Sequence, residues 1–267
     1  MDHAYLTPNE GNPKAKQAAT KALELDNTLA EAHISLASIL NTDWEMAEAE
    51  HEFNEALRLN PNYPTAHHWY SVHLRSLGRL DEAMREAKAA KELDPLSPMI
   101  HTYAGELYLD ARQYDAAMKE FDKALELDPN FVPAHEDRCY VYLFKSMFEE
   151  ALTEMQLVLR FSHMSTANVR AFTGAVYAMA GRIEEAKRFL RECEDASTHE
   201  YVNPYWLVFA YSSLGNKDRA LEWLEKTFEA RIFTPFRAKL DSRFDGVTSD
   251  PRFDELLKKF VRSLGGT

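Results

Sequence analysis

Histidines carry the most versatile chemistry in this chain, and four of its ten stand in strict register. His33, His67, His101 and His135 follow one another at a single constant step. Imidazoles at a fixed spacing are the raw material of a metal site. Because the ring titrates near pH 6.5, they are also where pH sensitivity would arise. A metal holds its nitrogens at roughly 2 Å, whereas equivalent side chains on successive packed helices stand on the order of 8–10 Å apart. No two histidines are spaced as HxxH or HxxxH. The register therefore reads as a recurring structural position, and no metal or other cofactor is expected.

The remaining candidates for chemistry are sparse. Cys139 and Cys193 are the only cysteines and form no CxxC motif. They read as buried, inert thiols in a reducing, cytoplasmic setting, without a disulfide framework. The sequence has no GxGxxG, GxxxxGK, GxSxG or HExxH motif, so neither phosphate-cradling loops nor a nucleophile elbow nor a zinc helix is encoded. Carboxylates such as Glu48, Glu82 and Glu150 read as solvated helix faces rather than a general acid–base pair. An enzyme is not expected.

Bulk composition narrows the partners. The 267 residues include 31 Lys and Arg against 43 Asp and Glu, a formal charge of −12. A chain this acidic repels phosphate backbones and anionic lipid heads, so neither nucleic acid nor membrane is an expected partner. A spanning helix needs an apolar run of about 18 residues or more, and the sequence has none. It also lacks a basic-then-apolar leader, so no secretory signal is expected. Hydrophobic residues at 45% can build a core, while only nine glycines argue against a turn-rich β protein.

The elements that position these residues follow from an internal repeat. Ala15, Ala49, Ala83, Ala117 and Ala151 recur at the same step as the histidines. The series continues at Ala186, one position late, and then at Ala220 on the regular step. A second series, seven positions later, runs Ala22, Ala56, Ala90, Ala124, Val158, Cys193 and Thr227. A third lies between them: Ala19, Phe53, Ala87, Phe121, Met155, Leu190 and Leu224. Two antiparallel helices pack closely only where the side chains at their crossing are small, with larger ones filling the adjoining hole. Pro61, Pro95 and Pro129 stop one helix and pre-set the turn into the next. Gly78, Gly181 and Gly215 supply a left-handed residue inside a helix pair.

A period of about 34 residues, the small-residue series and the prolines go with two further rows, Leu36, Tyr70, Ala104, Leu207 and Leu40, Leu74, Tyr108, Tyr142, Tyr177, Tyr211. Together they resemble the tetratricopeptide-repeat (TPR) family over residues 12–230. The resemblance implies an all-α, right-handed superhelical solenoid of antiparallel helix pairs. The expected pairs cover 30–63, 64–97, 98–131, 132–165, 167–200 and 201–234, six repeats within residues 30–234. Residues 1–12 are expected to be irregular, and 13–29 to form a half repeat, a lone second helix with Asn12 as N-cap and Pro13 at its first position. Its stripe with Leu23 and Leu25 would lie partly uncovered, as if the chain were cut from a longer parent. Residues 235–267 read as a linker and a capping helix opened by Asp250-Pro251. Phe253, Leu256, Leu257 and Phe260 would form its apolar face and Lys258, Lys259 and Arg262 its polar one. The segments around Asp43-Trp44, Thr65–Tyr70, Leu93–Pro98 and Asp250–Phe253 also resemble the TPR half of prokaryotic multidomain signalling and transcriptional-regulator proteins.

The family places partners on the concave face lined by first helices. The resemblance implies a groove of His68, Trp69, Arg75, Tyr103, Glu106, Asp110, Glu136, Tyr140, Phe172, Tyr205 and Trp206, aromatic with an acidic centre. It would suit a protein or extended peptide with apolar and basic residues. The family's clamp for acidic chaperone tails is not present: Ile34, Ser38, Trp69, Met99 and Tyr103 stand at its positions. The expected function is a non-enzymatic interaction scaffold, with self-assembly through the N-terminal helix, a weak homo-oligomer, as the alternative. The fourth pair departs from the pattern at Arg138, Cys139, Val158 and His163 and precedes the extra residue. A weak seam is expected at 160–168, with Asp137 or Glu106 pairing Arg138.

Overall fold

Proline and glycine placement cuts the chain into helices of nearly uniform length. The computed structural model describes residues 8–196, 199, 201–232 and 234–261, and every regular element among them is helical. The chain divides into two compact units, Met1–Pro95 and Leu96–Thr267. In the first, α1 (Pro8–Leu25) packs on α2 (Ala30–Thr42), which pairs with α3 (Met46–Leu59), followed by the pair α4 (Pro64–Ser76) and α5 (Leu80–Leu93). The second unit holds four pairs. They are α6 (Pro98–Asp110) with α7 (Tyr114–Leu127), α8 (Val132–Phe144) with α9 (Phe148–Phe161), α10 (Thr166–Met179) with α11 (Ile183–Ala196), and α12 (Pro204–Ser213) with α13 (Lys217–Glu229). Then come α14 (Pro235–Leu240), a 3-10 turn (Ser242–Phe244), α15 (Asp245–Thr248) and α16 (Pro251–Val261).

The structure corrects several expectations. The first helix starts at Pro8, not Pro13, and Pro13 lies inside it. Pro8 offers the same pre-set φ at a first turn. Residues 1–7 of the segment expected to be irregular, and Arg262 of the capping face, lie outside the described residues. The extra residue of the one longer step sits within α10, which has 14 residues where α8 has 13. The segment expected as a linker is helical and packs against α12, α13 and α16. Arg138 pairs with Asp122 at 3.2 Å and Glu154 at 3.1 Å rather than with Asp137 or Glu106.

The small-residue series forms the inter-helix core. Ala49, Ala83, Ala117, Ala151, Ala186 and Ala220 are fully buried, as are Ala56, Ala90, Ala124, Val158, Cys193 and Thr227. Facing positions on the first helices are matched in size to the residue opposite. Gly105 of α6 lies so close to Phe121 of α7 that a Cβ there would meet the ring at 2.3 Å. Ser71 and Cys139 occupy the equivalent position in neighbouring pairs and point a polar atom at the carbonyls of Ala83 (2.7 Å) and Ala151 (3.3 Å). Burial holds both cysteine thiols above their ordinary range, Cys193 at about 11. Inside each pair, one residue adopts positive φ. Gly78, Gly181 and Gly215 do so freely, while Trp44, Arg112 and Ser146 accept the left-handed conformation without glycine's freedom.

The histidine register is a repeated strut. His33, His67, His101 and His135 each place Nδ1 on a carboxylate of the partner helix: Glu52 (2.6 Å), Glu86 (2.6 Å), Glu120 (2.8 Å) and Glu154 (2.6 Å). Nε2 of His33, His67 and His135 faces the carbonyl oxygen of Asn27, Pro61 and Pro129 in the preceding turn. One ring thus ties together the inter-pair turn and both helices of its pair. At His67 and His135 both ring nitrogens face acceptors, which only the doubly protonated ring satisfies by donating twice. The Glu86 hydrogen bond, aided by Pro61, raises the pKa of His67 against burial. At His135, burial and the nearby Arg138 oppose the charge, and the bonds to Glu154 and Pro129 outweigh them.

Gly105→Ala must displace the Phe121 ring, and chemical denaturation should show a loss of about 1–3 kcal/mol. The His67 and His135 struts contribute fully below the unfolded imidazole value near 6.5 and lose that contribution as pH rises through their raised folded values. Urea midpoints followed by circular dichroism between pH 6 and 9 should therefore fall more for the parent than for His67→Gln/His135→Gln. Equal slopes would exclude the struts as the source.

Candidate functional site

First helices of the second unit bring Tyr140 (α8), Phe172 (α10), Tyr205 and Trp206 (α12) together. Tyr140 stacks on Trp206 with ring centroids 6.2 Å apart, and Phe172 meets the same indole edge-on at 5.0 Å. Tyr205 packs against Trp206 at 5.3 Å and Phe209 at 4.3 Å. The cluster is turned away from solvent: Tyr140 and Phe172 are fully buried, with Tyr205 and Trp206 at 9% and 6% exposure. Part of its cover comes from the segment expected to be a linker. The Phe244 ring sits 5.1 Å from that of Phe209, and the Arg243 guanidinium lies 4.9, 5.0 and 5.2 Å from the ring centres of Tyr140, Tyr205 and Phe209.

Arg243 is held by charge as well as by rings. It donates to both carboxylate oxygens of buried Asp241 at 2.7 and 2.8 Å and approaches Asp137 at 3.8 Å. Burial opposes the charge on Asp241, yet Arg243 keeps its pKa below the ordinary value. Asp241 also accepts from the Tyr205 hydroxyl at 3.2 Å. Exposed Arg112 grips Asp245 with two bonds of 2.7 Å, pinning α15 to the turn after α6.

Eight of the eleven residues expected to line a groove are therefore buried: His68, Arg75, Tyr103, Asp110, Tyr140, Phe172, Tyr205 and Trp206. Sequence register placed them on the correct helices but did not show what lies over them. Trp69, in the first unit, stays 41% exposed and meets His68 edge-on at 5.2 Å. Glu106 and Glu136 keep partial exposure and line a cavity of about 300 Å³ with Pro133, Asp137, Asn203, Tyr205, Trp206, Ile232, Arg237 and Arg243. Burial, reinforced by Glu106 and opposed by Arg243, pushes the Glu136 carboxyl up to about 8. Among the described residues no group of three or more His, Cys, Asp or Glu could hold a metal ion, and no helix is long and apolar enough to cross a membrane.

Tetratricopeptide-repeat models match residues 45–98, 98–131 and 167–192. The chain carries tetratricopeptide repeats. No curated protein matches it. Several solved structures are similar in fold. The pilF protein of Pseudomonas aeruginosa shares 20% identity, over 71% of this chain and 86% of that one, with a TM-score of 0.57. TTC0263, a TPR protein of Thermus thermophilus, shares 20% over 70% and 99%, with a TM-score of 0.59. A chain of the APC/C hetero-tetramer Cut9–Hcn1 shares 13% over 94% and 46%, with a TM-score of 0.66.

Part of the aromatic cluster on the first helices of the second unit is thus covered from within the chain. The residues that sequence reasoning missed are Asp241, Arg243 and Phe244. A signal for them exists, because Asp241-Ser242-Arg243-Phe244 and Asp250-Pro251-Arg252-Phe253 share a D-x-R-F pattern. In both, the aspartate accepts from the backbone N–H and the guanidinium of the arginine two residues on. The first copy is buried against the aromatic cluster. In the second, Phe253 is buried but Arg252 lies at the surface, where it reaches Asp218 at 2.6 Å.

Removing one partner of a buried pair strands the other, so Arg243→Ala should cost about 3–5 kcal/mol in chemical denaturation and flatten the near-ultraviolet aromatic signal. Arg252→Ala removes the same local motif where solvent screens it and should leave the unfolding midpoint nearly unchanged. Equal losses would mean that burial in the TPR face is not what gives Arg243 its weight.

Proposed function

We propose that the chain is a non-enzymatic scaffold that holds a protein segment with apolar and basic residues. The observation that carries this reading is Trp69, a large aromatic left 41% exposed on a first helix and braced edge-on by His68. Tryptophan is enriched among interface anchors, because it buries a large area at little entropy cost. The acidic cavity of the second unit supports a basic component in the partner. A chain of similar fold was solved within the Cut9–Hcn1 hetero-tetramer, an assembly of the kind such a scaffold would join. A non-catalytic role agrees with histidines taken up as struts and carboxylates paired in structure. A cytoplasmic location agrees with two free, buried cysteines. The resemblance to multidomain signalling and regulatory proteins supports a role as one module of a larger protein.

A second reading, self-assembly through the N-terminal helix, is supported by Leu25, 78% exposed on α1. Its signature is a sedimentation coefficient that rises with concentration and reverts in Leu25→Glu.

The test of the leading reading is a pull-down from native lysate with the purified chain and with Trp69→Ala. The expected result is a protein retained by the parent and reduced at least tenfold by the variant, since a central aromatic anchor is worth about 2 kcal/mol or more. Identical capture by both would remove Trp69 as the anchor.

A further inference from the structure

We infer that the cavity beside Glu136 is a socket for one cationic side chain, lysine or arginine, of the bound protein segment. This deepens the proposed scaffold function and rests on it. Glu136 has no hydrogen-bond or ion-pair partner among the described residues. The two neighbouring cations are already engaged: Arg243 by Asp241 at 2.7 Å and Asp137 at 3.8 Å, Arg237 by Glu106 at 3.5 Å. Four carboxylates against two guanidiniums leave the site with a surplus of acid, and Glu136 is the acid left over.

The shape agrees with the charge. Glu136 lines the cavity and keeps partial solvent contact there, so its carboxyl can be reached from outside. About 300 Å³ admits a side chain and a short stretch of backbone. Trp206 and Tyr205 in its lining offer ring surface to a cation, and Pro133 and Ile232 offer apolar surface to its methylene stem. The molecule already uses this recognition once, in the adjoining space, where Arg243 lies between a carboxylate pair and three rings.

Occupancy by a cation has a further consequence. Burial holds the Glu136 carboxyl at about 8, with Glu106 and Asp137 as neighbouring acids and Arg237, Arg243 and Tyr205 as the other titratable groups around the cavity. A cation favours the ionised form, so its binding releases a proton below that value. Affinity should therefore rise about tenfold between pH 6 and 7 and level off above 8.

The experiment is a nuclear magnetic resonance titration of the full chain with Nα-acetyl-lysine methylamide, its arginine counterpart and its norleucine counterpart, following the Trp206 indole and the Glu136 carboxyl carbon. The expected result is saturable shifts with either cationic probe, not with norleucine, and the stated rise with pH. Glu136→Gln keeps the shape and removes the charge, and should weaken the cationic probes at least tenfold; a urea midpoint equal to the parent's shows that the variant is folded. Response to norleucine equal to lysine, unchanged binding in Glu136→Gln, or no saturation at tens of millimolar probe would overturn the socket. The outcomes separate from those of the scaffold reading. Capture that depends on Trp69 while the probes fail removes the socket alone, and probe binding without any Trp69-dependent capture removes the anchor alone.

Discussion

Close approach of two helix backbones at a small residue is the constraint on which the structure depends. Helices as short as α2 and α3, of 13 and 14 residues, are marginal by themselves in water. They persist here because each second helix presents alanine-sized residues that let its partner settle against it, and all six alanines of that series from Ala49 to Ala220 are completely buried. The approach then fixes everything around it. Where it is tightest, the first helix can offer only Gly105 to the Phe121 ring. Where there is slightly more room, serine or cysteine fills it and points a polar atom at a backbone carbonyl. Hydrophobic burial supplies the driving force, but the small residues decide which backbones can share it.

The histidine struts act at the next level. A run of pairs needs its turns fixed relative to its helices, and at His33, His67 and His135 a single ring bonded to a glutamate on one side and to a turn carbonyl on the other does this. The same geometry explains what four evenly spaced imidazoles are for. Each Nδ1 is already committed to a carboxylate on the partner helix, so the register belongs to the repeat and not to a ligand.

How much was legible in the sequence follows from where information is repeated. Ala49, Ala83 and Ala117 recur because each pair solves the same packing problem, so helix identity and pairing could be read from one chain. The N-terminal boundary was misplaced because Pro8 and Pro13 are equally good first-turn residues and sequence alone does not rank them. Register put Tyr140, Phe172, Tyr205 and Trp206 on one face, which is a periodic fact. What covers that face is a single event contributed by residues 234–248, and a single event leaves no period to detect. The D-x-R-F pattern around Arg243 and Arg252 was the available clue, and it shows only a local turn. That one arginine is buried and the other exposed depends on the helices each happens to meet.

That cover changes what the second unit can offer a partner. An open aromatic face binds by area and tolerates many sequences, since ring faces accept any apolar or cationic group. Once Arg243 and Phe244 occupy it, the area is used within the fold, and what remains at the surface is a small cavity with an acid that the inserted arginines do not neutralise. Recognition there passes from area to charge. A cation favours the ionised form of Glu136, whereas an apolar side chain leaves the carboxyl protonated and unmatched. On the inferred socket, the segment that closes the face is thus the element that would give the unit its preference for a cation.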